Sequence, residues 1–244
     1  MGEAGNAPSL QRGRVPQDET VAPDVLQKEP PDPADPIFAL DNVVLTPHYA
    51  SCTDEAYHEL RVKTAENKEE SEMRLKGKKV AVLAENMYQE MELWVPYYRL
   101  KEEGADVKIV APEKKTYESK NHYPVTADVA AADVSAKDFD GVVIPGGYAP
   151  DMMRRHQAIL DLVKGCFEQG KPVAAICHAG WVPASAGILR GKTATCFFAI
   201  KDDVINAGAK YVDQEVVVDG NLITSRTPSD LPAFCRELVK ALEK

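Results

Sequence analysis

From Lys78 onward the sequence predicts an α/β domain, a doubly wound, mostly parallel sheet with helices on both faces. Three observations predict it. Short apolar runs recur at residues 80–84, 107–111, 141–144 and 173–176, as in strands buried on both faces. Longer stretches between them, 91–103 and 151–169, are closed by Gly104 and Gly170, as helices commonly are. Turn residues such as Pro145-Gly146-Gly147 and Asp219-Gly220 punctuate the pattern.

The elements follow in order. Residues 80–84 form the first strand. The helix over 91–103 sets Leu93, Tyr97 and Leu100 on one side. Residues 107–111 form the second strand, and 116–134 read as a hairpin and loop excursion. The third strand, 141–144, runs into the two glycines. One long helix is expected over 151–169. The fourth strand, 173–176, is bounded by Pro172 and ends at Cys177. Residues 193–198 add strand, and 215–218 pair with 222–225 across Asp219-Gly220. The last helix has Thr227 as N-cap, Pro228 at N1 and Asp230 at N3. Leu231, Phe234, Leu238 and Leu242 form its apolar stripe.

Upstream, residues 1–35 are rich in Pro, Gly, Asp and Glu, a composition that predicts a disordered tail. Residues 36–70 form a second piece, with strand character at 43–45, a helix opening at Thr53 and a charged linker beyond. The α/β domain spans 77–244. The chain of 244 residues has a net charge of −9, which argues against a nucleic-acid partner, because such binding needs clustered Lys and Arg. No apolar run approaches the about 18–20 residues of a membrane span. The N-terminus shows neither a signal peptide nor a myristoylation pattern, with Asn6 where Ser or Thr is required. The 5 cysteines, Cys52, Cys166, Cys177, Cys196 and Cys235, have no metal-ligand spacing. That fits reduced thiols in a cytosolic protein and predicts no metal and no cofactor.

The candidate site gathers at strand ends, where open parallel sheets place their ligands. Cys177 follows a strand and has small residues, Ala175 and Ala179, two positions to either side. A sharp strand-to-helix turn needs that spacing, as in a nucleophile elbow. At a helix N-terminus the dipole favours thiolate over thiol, below the usual pKa of about 8.5. Glu92 lies beyond the first strand and can share a proton with the sulfur. His178 can act as base and acid. The amide of Gly147, in the loop opened by Gly146, and that of His178, next after the nucleophile, can form an oxyanion hole. The local pattern alone leaves other readings open: a buried structural cysteine, a helix-terminal carboxylate, a partly exposed histidine and a simple Gly-Gly turn. The chain carries no histidine after His178, so the triad of a glutamine amidotransferase cannot be built.

These residues carry a resemblance. Residues 77–243 resemble the PfpI family, within the superfamily that includes the parkinsonism-associated deglycase. The matching segments are Glu90-Met91-Glu92-Leu93, Pro145-Gly146-Gly147-Tyr148-Ala149-Pro150-Asp151, Ala175-Ile176-Cys177-His178, Ile200-Lys201-Asp202-Asp203 and Val216-Val217-Val218-Asp219-Gly220-Asn221. The resemblance implies a flavodoxin-like, class I glutaminase-like sandwich with a Cys-His-acid site. It implies that Glu92 hydrogen-bonds the nucleophile, and that Asp151, supplied by a neighbouring subunit of a dimer or larger ring, partners His178. The chain departs from the family pattern at Gln89, often acidic, at Asp151, which is Glu in some relatives, and at Ala179-Gly180 in place of Gly-Pro. Residues 29–51 resemble the C-terminal end of D-2-hydroxyacid dehydrogenases, with His48 at the catalytic histidine position. Without a G-x-G-x-x-G loop, NAD chemistry is excluded, and the piece reads as a fusion remnant or docking tail.

The activity implied is cofactor-independent, cysteine-dependent chemistry on reactive carbonyls, of glyoxalase III or deglycase type, on small carbonyl or glycated substrates. An intracellular cysteine peptidase and a redox-sensing chaperone using Cys177 oxidation are the alternatives.

Overall fold

The computed structural model describes residues 73–244. The expectations for 1–35 and 36–70, His48 and the strand at 43–45 among them, lie outside the described residues.

Strands β1 (Lys79–Leu83), β2 (Asp106–Ala111), β6 (Gly141–Ile144) and β7 (Val173–Ile176) fall within a residue of the apolar runs. Helix α1 (Glu90–Glu102) lies between β1 and β2 and buries Leu93 and Leu100. The excursion is a hairpin of β3 (Thr116–Glu118) and β4 (Pro124–Thr126), followed by β5 (Val129–Ala130), which joins the main sheet. Strands β10 (Val216–Asp219) and β11 (Leu222–Ser225) complete a 7-stranded sheet of order β10-β11-β7-β6-β1-β2-β5. Every pairing is parallel except β10 with β11. The winding reverses between β1 and β6, so the carboxyl ends of β1, β6 and β7 border one crevice.

After α5 (Lys201–Asn206), helix α6 (Leu231–Leu242) buries the expected stripe of Leu231, Phe234, Leu238 and Leu242 and packs on α1 and β11. The sheet's other face is covered by a helix lying on β6 and β7.

That helix differs from expectation. The single helix over 151–169 is two helices, α2 (Ala149–Met153) and α3 (Gln157–Glu168). His156 takes extended backbone, φ −106° and ψ 112°. The polar Arg154-Arg155-His156 segment has nothing to bury, and the break turns Ile159, Leu162, Val163 and Cys166 of α3 into the core.

Three further expectations are corrected. The run 193–198 is strand only at β8 (Thr193–Ala194), which pairs with β9 (Lys210–Tyr211) in a separate sheet. Beyond it, the Thr195 amide bonds Thr224 Oγ1 at 2.9 Å and the Phe197 amide bonds the Cys177 carbonyl at 3.1 Å, so the ladder stops. The hairpin turn is Gly220-Asn221 rather than Asp219-Gly220, because Asp219 pairs with Leu222 while its carboxylate accepts the Thr193 amide at 2.7 Å. Thr227 precedes a 3₁₀ turn, Pro228–Asp230, and α6 begins only at Leu231. Its hydroxyl meets Ser229 Oγ at 3.0 Å and caps no amide.

Candidate active site

Cys177 follows β7 with φ +62°, a left-handed conformation that costs a side-chain-bearing residue about 1–3 kcal/mol and is held only where surrounding packing imposes it. Ala175 and Ala179 on either side are buried, which is why both must be small. The backbone amides of His178 and Gly147 act on the sulfur in the direction that favours thiolate. His178 Nδ1 stands 3.2 Å from Sγ. The segment after the elbow is a 3₁₀ turn, Cys177–Gly180, leading into the five-residue helix α4 (Trp181–Ser185).

Glu92 sits in the first turn of α1. The side chain of Gln89 caps that turn by accepting the Glu92 amide at 2.9 Å. Glu92 is fully buried. Its Oε2 accepts the Gly146 amide at 2.8 Å, and Oε1 has no close hydrogen-bond partner. The Cys177 thiol is the polar group beside the carboxyl. Gly146 is wedged between them: a Cβ there would lie 2.6 Å from Glu92 Oε2 and 2.7 Å from Cys177 Cβ. Gly147 has φ +76°, and a Cβ on it would meet the Met87 carbonyl at 2.4 Å. Only glycine lets the loop come close enough to aim one amide at Glu92 and the next at the sulfur.

The electrostatics reverse one expectation. Burial, then the Glu92 charge, push the Cys177 thiol up to about 12 despite the two amides. Burial likewise raises Glu92 to about 7, opposed by the Gly146 amide and Cys177. Burial and the neighbouring carboxylate thus both favour thiol over thiolate. The 3₁₀ turn and five-residue helix carry too small a dipole to outweigh desolvation beside a carboxylate. The first proton to leave the pair leaves near neutrality. His178 is lowered by burial and then by the Lys120 charge, so its imidazole is neutral. A neutral base bonded to a protonated thiol can take the proton as sulfur attacks, with two amides ready for the oxyanion.

The sequence profile of the DJ-1/PfpI family matches residues 78–241. The chain belongs to the DJ-1/PfpI family. The Deglycase PH1704 of Pyrococcus horikoshii is 46% identical over 165 residues, covering 68% of this chain and 99% of the relative. The Protein/nucleic acid deglycase 2 of Escherichia coli is 38% identical over 169 residues, covering 68% of this chain and 98% of the relative. A crystal structure from Anabaena variabilis, a two-domain protein with DJ-1/ThiJ/PfpI-like and ferritin-like domains, superposes with a TM-score of 0.66 at 44% identity. That match covers 68% of this chain and 48% of the other.

Within this DJ-1/PfpI domain, Cys177, His178, Glu92, Gly146 and Gly147 come together, and Asp151 does not join them. Its carboxylate forms an ion pair with Arg155, one turn along the same chain. Among the described residues, the only hydrogen bond of the His178 ring is to Sγ. What surrounds the ring instead is aromatic: Phe197 at 4.8 Å, Trp181 at 5.3 Å and Tyr148 at 6.0 Å between centroids. Sequence reasoning missed all three. Trp181 was accessible to it, since it stands three residues after His178, on the same side of a helical turn. Phe197 was not, because its approach depends on the run 193–198 leaving the sheet. Among the described residues, no group of three or more His, Cys, Asp or Glu side chains is placed to hold a metal ion, and no helix is long and apolar enough to cross a membrane.

Proposed function

We propose that the protein is a cofactor-independent enzyme that adds Cys177 to reactive carbonyls, converting methylglyoxal to lactate and releasing the carbonyl from glycated groups. The observation that carries this is a thiol on a left-handed elbow, with a neutral imidazole 3.2 Å away and a fully buried carboxyl beside it. The names of the deglycase relatives support the same reading.

The chemistry balances without a redox partner. Sγ adds to the aldehyde carbon while His178 takes the thiol proton, and the Gly147 and His178 amides hold the oxyanion. The hemithioacetal carbon then loses its proton to Glu92 or His178, which returns it to the neighbouring carbon. That isomerisation yields a thioester of lactate, and water hydrolyses it to lactate and free thiol. Glu92, with a pKa near neutrality, is suited to accept and return a proton in this way. Asp151 is proposed to reach His178 only across a subunit interface, in a dimer or larger ring. The free thiols of Cys166, Cys177, Cys196 and Cys235 support a reducing, cytoplasmic setting.

The test is to incubate the protein and Cys177→Ala with methylglyoxal and, separately, with unfolded casein. Lactate formation by the parent and not by the variant is expected. Proteolysis without lactate would overturn the reading in favour of a peptidase. Ready oxidation of Cys177 with neither activity would favour a redox sensor.

A further inference from the structure

We propose that Arg154 and Lys120 recognise an anionic end of the substrate, so that the preferred carbonyl compounds are 2-oxoaldehydes carrying a carboxylate a few carbons beyond the reacting pair. The proposal rests on the addition of Cys177 to carbonyls argued above and names the substrate class of that same site.

The two cations reach the Cys177 mouth from different segments. Arg154 ends α2, and its guanidinium lies over the Trp181 ring, 6.0 Å from the centroid. The Trp181 and His178 rings are 5.3 Å apart between centroids. Lys120 follows β3. Its amide donates to the Tyr88 carbonyl at 3.1 Å, and Tyr88 is bridged in turn to Gly147 of the oxyanion loop. One extended residue thus separates Lys120 from that loop, and the Lys120 charge acts on both Glu92 and His178. Aromatic rings line the mouth. Tyr148, Phe197 and Trp181 surround His178, and Phe198 stands beyond Phe197 with 75% of its surface exposed.

The carboxylates near these cations are committed elsewhere. Asp151 pairs with Arg155, Asp203 accepts the Trp181 indole at 2.8 Å, Glu118 faces His122 at 3.1 Å and Glu90 holds Ser119. Among the described residues, that leaves the Arg154 and Lys120 side chains without an ion pair. In a chain of net charge −9, two such cations at one mouth make a local positive field that draws an anion in. Methylglyoxal carries no charge and offers them nothing. A guanidinium binds a carboxylate through two parallel N–H donors. A phosphate dianion ordinarily takes backbone amides as well, and here the Gly146 amide is held by Glu92 while those of Gly147 and His178 serve the oxyanion. The aromatic walls suit the short carbon chain between the two ends. With 4,5-dioxopentanoate, Cys177 adds to the terminal aldehyde, the same isomerisation gives a thioester, and water releases 2-hydroxyglutarate. No oxidant or reductant is needed.

The test gives the full chain 4,5-dioxopentanoate and, separately, its methyl ester, which lacks the charge. kcat/KM should be at least about tenfold higher for the acid, the worth of one charge-assisted hydrogen bond, and the preference should shrink as salt rises. Arg154→Gln should bring the acid-to-ester ratio to within about threefold of one, and Arg154→Lys should keep most of it. Lys120→Gln, at an exposed position, should lower it about two- to threefold. The ratio is taken within each variant, so partial unfolding does not alter it. A parental ratio near one, as from an Arg154 already paired within the assembly, would overturn the proposal, as would a ratio unmoved in Arg154→Gln. A second arm needs no turnover. Cys177→Ala is titrated with 4-oxopentanoate while the Trp181 indole N–H signal is followed by NMR. A saturable shift is expected, absent with the methyl ester and absent when Arg154→Gln is added. No shift with 4-oxopentanoate would overturn the anion site. A parent that turns over no 2-oxoaldehyde would refute the proposed reaction, while the titration still decides whether the anion site exists.

Discussion

Replacing Glu92 by Gln should remove a loss of stability that the parent suffers as pH rises through neutrality. Glu92 is fully buried, and its pKa is raised from 4.5 to about 7, chiefly by desolvation. The folded state thus holds this proton more tightly than the unfolded chain does. The stabilisation is complete below the unfolded value near 4.5 and is lost as pH rises through about 7. At 1.36 kcal/mol per pH unit the loss is about 3 kcal/mol. Gln has nearly the same volume, its carbonyl can still accept the Gly146 amide, and it has no charge to bury. The stability of Glu92→Gln relative to the parent should therefore rise by most of about 3 kcal/mol between pH 5 and pH 8. Urea unfolding of both proteins under reducing conditions, extrapolated to water at each pH, measures it. Cys177→Ala supplies a check from the other partner. Cys177 lowers the Glu92 pKa, so its removal should move the parent's pH transition upward. Parallel pH responses in parent and Glu92→Gln would refute the account, because they would mean that Glu92 is already ionised at pH 5.

Two other outcomes are expected. Gly146→Ala should lower kcat at least about a hundredfold, the loss seen when an oxyanion donor is displaced, since its methyl would sit 2.6 Å from Glu92 Oε2 and 2.7 Å from Cys177 Cβ. A steady-state assay with a melting curve alongside checks it, and a variant with parental kcat would count against the wedge. Deleting residues 1–70 should leave methylglyoxal turnover within about twofold of the full chain. The expectation rests on the family match, which begins at residue 78 and covers 99% of the Pyrococcus relative. A collapse of activity or of assembly would show that this piece takes part.

Much of the fold was legible because its signals are local. A strand buried on both faces needs a short apolar run, so β6 and β7 could be read to the residue. The elbow was legible for a related reason. Small residues flanking a cysteine at a strand end are dictated by sterics within a few residues, and φ +62° at Cys177 is their outcome. The single helix over 151–169 failed because nothing in its sequence forbids a helix through Arg154-Arg155-His156. The break is set by where the sheet lies beneath α3. The strand over 193–198 failed likewise, because its backbone partners, Thr224 and Cys177, are distant in sequence.

By itself, then, the sequence determined the elements, the elbow and the identity of the groups at the strand ends. Only the tertiary structure decided how those groups are charged and oriented. The order β7-β6-β1 brings a carboxyl against a buried thiol, and there desolvation and like charge outweigh the helix terminus that favours thiolate. Phe197 reaches His178 by leaving the sheet, while Asp151 stays with Arg155. Protonation and side-chain orientation depend on neighbours far apart along the chain, and those neighbours exist only once the chain has folded.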